Sequence, residues 1–286
     1  MTIRSGQARL AGIIGWPVAH SRSPLLHGIW LARHGIDGAY VPLPVAPGDV
    51  GAVIAGLRKA GFAGINVTIP HKIEALAACD RVSPFARRAG AVNTLVFRDG
   101  QVAGDNTDGY GFTANLADHG VDPAAGPALV LGAGGAARAI VAALQDAGAP
   151  VTLANRTRAA AEALARDIPP VRVIDWTARH AALADHALMV NTTALGMDGK
   201  DPLDLDLSRA AAGMAVADAV YVPLETRLLA TARAAGLRPV EGLGMLLHQA
   251  VPGFAAWFGV TPVVDAELRA IVAADLPGGD TQPVRG

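Results

Sequence analysis

The sequence predicts an α/β protein made of two successive units, the second wound on a parallel sheet. Three observations carry that prediction. Short β-rich runs alternate with segments of helical spacing along most of the chain. In the later half a strand–helix–strand succession repeats, the pattern that builds a doubly wound sheet. The chain has 286 residues, 51% of them hydrophobic, and at roughly 100–200 residues per domain that suits two cores.

In chain order, 9–15 reads as a strand, and Ser23-Pro24 opens a helix with Ser as N-cap and Pro in the first turn. Leu25, Leu26, Ile29 and Trp30 give that helix its apolar stripe. A strand follows at 39–45, a helix at 49–60, a strand at 62–69, and short helices at 74–78 and 84–88. Strands 92–97 and 101–103 make a hairpin around Asp99-Gly100, a turn-forming pair. A second unit starts near Asp108 with a helix at 108–119 and a Gly/Pro-rich connector at 120–127. Strands then fall at 128–131, 151–154, 187–191 and 215–219, with helices from the glycine-rich turn to about 147 and at 159–166. Helices at 246–258 and 265–274 close the chain, and 278–286 reads as a polar tail. The expected domains are 1–107 with 246–286, the last helices returning to the first domain, and 108–245.

Charge narrows the partners. With 24 Lys+Arg against 25 Asp+Glu the formal net charge is −1, so there is no basic field for nucleic acid and no acidic tail. Cys79 is the single cysteine, which excludes an internal disulfide framework and fits a reducing cytoplasm. The apolar run 10–19 follows Arg4 and Arg9 as a signal peptide's would, but Gly12, Gly15 and Pro17 interrupt it, and a buried first strand explains it better. Arg138 breaks the most apolar later stretch, and no run reaches the ~18 apolar residues of a spanning helix. We expect a cytoplasmic protein with no membrane partner.

Gly132-Ala133-Gly134-Gly135-Ala136-Ala137 follows a strand and opens a helix, filling a G-x-G-x-x-G/A pattern. Glycines there let a pyrophosphate approach backbone N–H groups at the helix N-terminus, which marks a Rossmann-type dinucleotide domain. An NAD site usually carries an acid roughly 20 residues on, for the ribose 2′-hydroxyl. This chain has Ala154-Asn155-Arg156-Thr157-Arg158 instead, cations and a hydroxyl suited to a 2′-phosphate. The competing reading is two solvated loop arginines. NADP(H) is the expected cofactor.

Polar clusters end the strands of the first unit: His20-Ser21-Arg22-Ser23-Pro24, Asn66-Val67-Thr68-Ile69-Pro70-His71-Lys72, Asn93-Thr94, and Gly104-Asp105-Asn106-Thr107-Asp108-Gly109 at the junction. Their placement and chemistry suit a ligand with several hydroxyls, although Ser23 as a cap and Asn93 as a turn residue have plain structural readings. Only three lysines occur, Lys59, Lys72 and Lys200. Lys72 alone lies among these clusters, and with a carboxylate such as Asp108 it could move the proton that accompanies hydride transfer to a carbonyl.

Taken together with Gly90-Ala91-Val92-Asn93-Thr94 and Glu241-Gly242-Leu243-Gly244-Met245-Leu246-Leu247-His248-Gln249-Ala250, these motifs resemble the shikimate dehydrogenase family over about 10–275. The resemblance implies reversible NADPH-dependent reduction of 3-dehydroshikimate to shikimate in chorismate and aromatic amino-acid biosynthesis. It assigns Lys72 and Asp108 as the catalytic pair. Ser21, Ser23, Asn66, Thr68, Asn93, Tyr221 and Gln249 would hold the substrate. Gly132, Ala133, Gly134, Gly135, Ala136, Asn155, Arg156, Thr157, Ala219 and Gly242 would hold the cofactor. Relatives often carry another basic residue past Asn-Arg-Thr; here Ala160 stands there, with Arg158 two positions earlier as its substitute. A homodimer is admitted, with no feature that specifies it.

Two rivals are a quinate/shikimate dehydrogenase with relaxed cofactor use and a non-catalytic NADP-binding sensor. The acid-free arginine loop opposes the first, and the Lys72–Asp108 combination the second. The eight histidines show no ligand spacing, so no metal is expected.

Overall fold

The computed structural model describes residues 4–277. They pack as two units: the described residues through Asp108 with Gln249–Leu268, and Gly109–His248 with the described residues from Arg269. The tail at 278–286 lies outside the described residues.

The first unit holds β1 (Arg9–Gly15), α1 (Ser23–Arg33), β2 (Gly38–Pro44), α2 (Val50–Lys59), β3 (Gly64–Val67), β4 (Arg81–Val82), α3 (Pro84–Ala89), β5 (Thr94–Arg98) and β6 (Gln101–Asp105). Its sheet runs β2-β1-β3-β5-β6-β4. β1, β2 and β3 are parallel, while β5 runs antiparallel to β3 and β6. The β5–β6 turn has positive φ at both Asp99 (52°) and Gly100 (72°), the geometry an Asp-Gly hairpin favours. β2 carries Pro42 and Pro44, which lack the N–H a central strand needs, and it lies at the sheet edge. Ile14, Val50, Ile54, Ile65 and Leu95 are fully buried at the centre of this unit's core.

One local expectation needs correction. Ser23 is the first residue of α1, and Arg22 is the N-cap without a side-chain bond. Ser21 does the capping chemistry, its hydroxyl accepting from the Ser23 N–H at 3.3 Å.

The second unit continues through α4 (Asp108–Asp118), β7 (Ala128–Leu131), α5 (Gly135–Asp146), β8 (Val151–Ala154), α6 (Arg158–Asp167), β9 (Arg172–Ile174), α7 (Arg179–Ala182), β10 (Leu188–Asn191), β11 (Ala215–Asp218), α8 (Arg227–Ala234) and β12 (Arg238–Val240). Its sheet is β12-β11-β10-β7-β8-β9, parallel throughout, so strand order reverses between β7 and β10. That reversal is where doubly wound sheets open their ligand crevice.

Two helices finish the chain, α9 (Leu243–Phe258) and α10 (Ala266–Ala274). The chain re-enters the first unit at Gln249. There Trp257 packs on β3 so closely that a Cβ on Gly64 would stand 2.1 Å from the indole nitrogen. That nitrogen donates to the Leu95 carbonyl at 2.9 Å. α10 differs from expectation: from Arg269 it groups with the second unit, where Arg269 pairs with Glu241 at 2.6 Å. Among the described residues no helix is long and apolar enough to cross a membrane.

Candidate active site

At the carboxyl end of the first sheet, the Pro70-His71 turn after β3 delivers Lys72. His71 is buried and its Nε2–H donates to the Val45 carbonyl at 2.8 Å, anchoring the turn. The Lys72 ammonium then reaches Asp108 Oδ2 at 2.5 Å. Asp108 opens α4 and is 5% exposed against 16% for Lys72, so this ion pair is largely withdrawn from water.

The remaining oxygen of Asp108 is held by Asn93, whose Nδ2 donates to Oδ1 at 2.8 Å. Asn93 also lies within bonding distance of Thr107 Oγ1 (3.0 Å) and Gln249 Oε1 (3.2 Å). Thr107 returns the tie, its N–H donating to Asn93 Oδ1 and its hydroxyl to the Gln249 carbonyl at 2.7 Å. Asn66 donates through Nδ2 to the Asn93 carbonyl (3.0 Å) and Thr94 Oγ1 (3.1 Å). Lys72, Asp108, Asn66, Asn93 and Gln249 are thus parts of one polar cluster. Ser23 is buried at the start of α1, Ser21 caps it, and Thr68 sits half-buried just after β3. Tyr221 lies in the second unit, in the loop after β11.

In the second unit the glycine turn follows β7. Gly132 has φ +114°, and a Cβ there would sit 2.4 Å from Thr192 Oγ1 after β10. Only glycine fits. Gly134 is exposed with open space beside it, and α5 begins behind it with no side-chain cap. First-turn N–H groups of an uncapped helix have no intrahelical partner, which is what a pyrophosphate requires. After β8, Asn155 Nδ2 donates to the Thr157 carbonyl at 2.9 Å and shapes the loop. Arg156 and Thr157 are exposed. Arg158 is different: its guanidinium holds Glu162 at 2.8 Å and Asp175 at 2.5 Å, hydrogen bonds that raise its pKa. The turn, the uncapped helix and the acid-free loop fit an NADP molecule, and Arg156 stands exposed in that loop.

Gly242 stands against the backbone after β11, where a Cβ would come within 2.7 Å of the Asp218 and Val220 carbonyls and 2.8 Å of Ala219. That brings Ala219 and Gly242 together. Sequence reading missed Asp218 itself. It accepts from Asn191 Nδ2 (2.9 Å), Val220 N–H (3.0 Å) and Thr226 Oγ1 (2.7 Å), tying β10, the loop after β11 and α8. Burial pushes its carboxyl up to about 6 despite those bonds. Also missed was Tyr40, whose strand gave no signal beyond hydrophobicity. Among the described residues no group of three or more His, Cys, Asp or Glu could hold a metal.

Comparison with known proteins gives the same direction. The family description "Shikimate dehydrogenase substrate binding domain" matches residues 13–95. A protein of Acidiphilium cryptum named shikimate dehydrogenase (NADP(+)) is 73% identical over 96% of this chain and 100% of its own length. One of Rhodospirillum rubrum with the same name is 59% identical over 94% of this chain and 98% of its own. Among solved structures, shikimate 5-dehydrogenase from Thermus thermophilus in complex with NADP(H) and shikimate is 37% identical. It superposes with a TM-score of 0.84 over 93% of this chain and 99% of that one.

Proposed function

The chain belongs to the shikimate dehydrogenase family, and from that membership we propose how its own side chains carry the reaction. It is an NADP-dependent oxidoreductase acting on the CH–OH group of shikimate, in aromatic amino-acid biosynthesis. NADPH, when bound, supplies the hydride that reduces the ketone carbon of 3-dehydroshikimate. As the carbonyl oxygen gains negative charge, Lys72 gives it a proton from its ammonium, and in the reverse direction takes that proton back. Until transfer the ammonium also stabilises the developing alkoxide. Asp108 holds the Lys72 nitrogen in place, and Asn93 holds Asp108. Asn66, Gln249, Ser21, Ser23 and Thr68 grip the substrate's hydroxyls and carboxylate, and the family resemblance adds Tyr221 to that set. The observation that carries this reading is the 2.5 Å Lys72–Asp108 pair set among amides and hydroxyls.

Cofactor binding falls to Gly132, Ala133, Gly134, Gly135 and Ala136 for the pyrophosphate, Asn155, Arg156 and Thr157 for the adenosine end, and Ala219 and Gly242 for the nicotinamide half. Work in the cytoplasm, as a homodimer, completes the proposal. The single free Cys79 suits a reducing compartment, and light scattering reads the assembly.

Absorbance at the NADPH band tests the activity, using shikimate with NADP+ and with NAD+. We expect turnover with kcat/KM at least about 10-fold higher for NADP+; equal values would remove Arg156's role. Lys72→Ala should lower kcat by about 10²–10⁴-fold with a smaller change in KM, since the alkoxide charge belongs mainly to the transition state. A near-normal kcat in a folded Lys72→Ala protein would sink the assignment.

A further inference from the structure

Behind the polar cluster, in the first unit, His27 and Tyr40 stack face to face with ring centroids 4.0 Å apart and planes 9° from parallel. Trp30, Phe254 and Trp257 surround His27 at 5.6 to 5.8 Å. His27 is completely buried and Tyr40 nearly so. The phenol hydroxyl emerges from this aromatic packing at Asn66, donating to Oδ1 at 2.6 Å. Burial keeps the phenol protonated, raising its pKa well above the usual value, with the neighbouring Ser23 hydroxyl easing the shift. Tyr40 therefore touches two of the side chains assigned to the substrate while lying beneath them.

An amide has two N–H donors and an oxygen with two lone pairs. Both donors of Asn66 point inward, to the Asn93 carbonyl and Thr94 Oγ1. One lone pair of its oxygen is taken by Tyr40. His27 adjoins the same amide, but neither of its ring nitrogens makes a hydrogen bond, so one lone pair remains for a ligand. We infer that Tyr40 is a positioning residue whose hydroxyl locks the Asn66 amide, so that Asn66 meets the substrate only as a hydrogen-bond acceptor. A substrate hydroxyl satisfies that lone pair, whereas a keto or ether oxygen at the same place would face a second acceptor. The stacked His27 ring fixes the direction of the Tyr40 hydroxyl, because the phenol cannot tilt without leaving the stack. The inference rests on the assignment of Asn66 to the substrate site and adds what sets its polarity.

The test is shikimate affinity, measured by calorimetry alongside steady-state turnover. Tyr40→Phe keeps the ring and its stacking and removes the hydroxyl, both the donor to Asn66 and the partner of Ser23, two roles that the double variant with Asn66→Ala separates. It should raise the shikimate Kd by about 3- to 10-fold, the worth of one hydrogen bond, with the KM for NADP+ unchanged and kcat within about 3-fold. Asn66→Ala should raise Kd by itself, and adding Tyr40→Phe to it should then change Kd by less than about 2-fold, because the tyrosine acts through the amide. Thr94→Val, which removes one acceptor of the Asn66 amide, should also raise Kd and serves if Tyr40→Phe fails to fold. An unchanged Kd in Tyr40→Phe, or independent multiplying effects in the double variant, overturns this inference alone. Absence of shikimate binding by the wild-type protein overturns the site assignment, and the inference with it.

Discussion

His27 and Asp218 are both buried and titratable, and acid moves them in opposite directions. Burial drives the His27 imidazole down to about 3 from its ordinary 6.5, only partly offset by the neighbouring Asn66. Between those values the unfolded chain binds a proton that the folded chain refuses, so stability is present above pH 6.5 and lost as pH falls toward 3. At about 1.4 kcal/mol per unit the loss approaches ~5 kcal/mol. His27→Phe should flatten that limb, read as urea-unfolding free energy at pH 4 relative to pH 7. Asp218 works the other way. Its folded value of about 6 lies above the ordinary 3.8, so its stabilising contribution is present below pH 3.8 and lost as pH rises to 6. Asp218→Asn keeps the acceptor for Asn191 and Val220, and Thr226 can accept from the new amide. It should stabilise the protein by about 2–3 kcal/mol at pH 8 and change little at pH 4. Neither residue could be ranked from the sequence. A histidine in a helix and an aspartate after a strand look ordinary until burial is known. Lys72 and Asp108 stood out in the sequence because few lysines compete and both lie in motif clusters, and the structure pairs them.

Among elements, runs bounded by turn residues were readable, down to the four residues of β7 and β8, and the shortest strands were not. β1, β7 and β8 have the predicted bounds, since each is an apolar run between turn residues. β4 has two residues and β9 three, too few for any period to register. β12 contains Pro239, which argues against a strand unless it lies at an edge, as it does. α8 was missed because Thr226, which caps it by accepting from Leu229 N–H, follows a stretch without hydrophobic period. The β7–α5 turn was legible in full, and it bears a sharp prediction. Gly132→Ala places a methyl against Thr192 Oγ1 and forces alanine to positive φ. The KM for NADP+ should rise at least about 10-fold while the affinity for shikimate, measured without cofactor, stays within about 2-fold. Equal losses for both ligands would mean that the turn serves folding rather than the cofactor.

At the scale of the whole molecule, a net charge of −1 gives copies little reason to repel each other in neutral solution. What the charge omits, the sheet margins supply. Each sheet has two open margins, and each is blunted: β2 by Pro42 and Pro44, β4 by having two residues, β9 by having three, and β12 by three residues with Pro239 among them. Replacing Pro42 and Pro44 by threonine would restore two donors to the longest of these margins. That variant should aggregate faster at 37 °C, seen as rising light scattering at high protein concentration, with kcat unchanged. An equal aggregation rate would show the prolines to be incidental. Faster aggregation of that variant would make the two prolines a colloidal safeguard, letting a nearly neutral protein accumulate in a crowded solution without its sheets joining into fibrils.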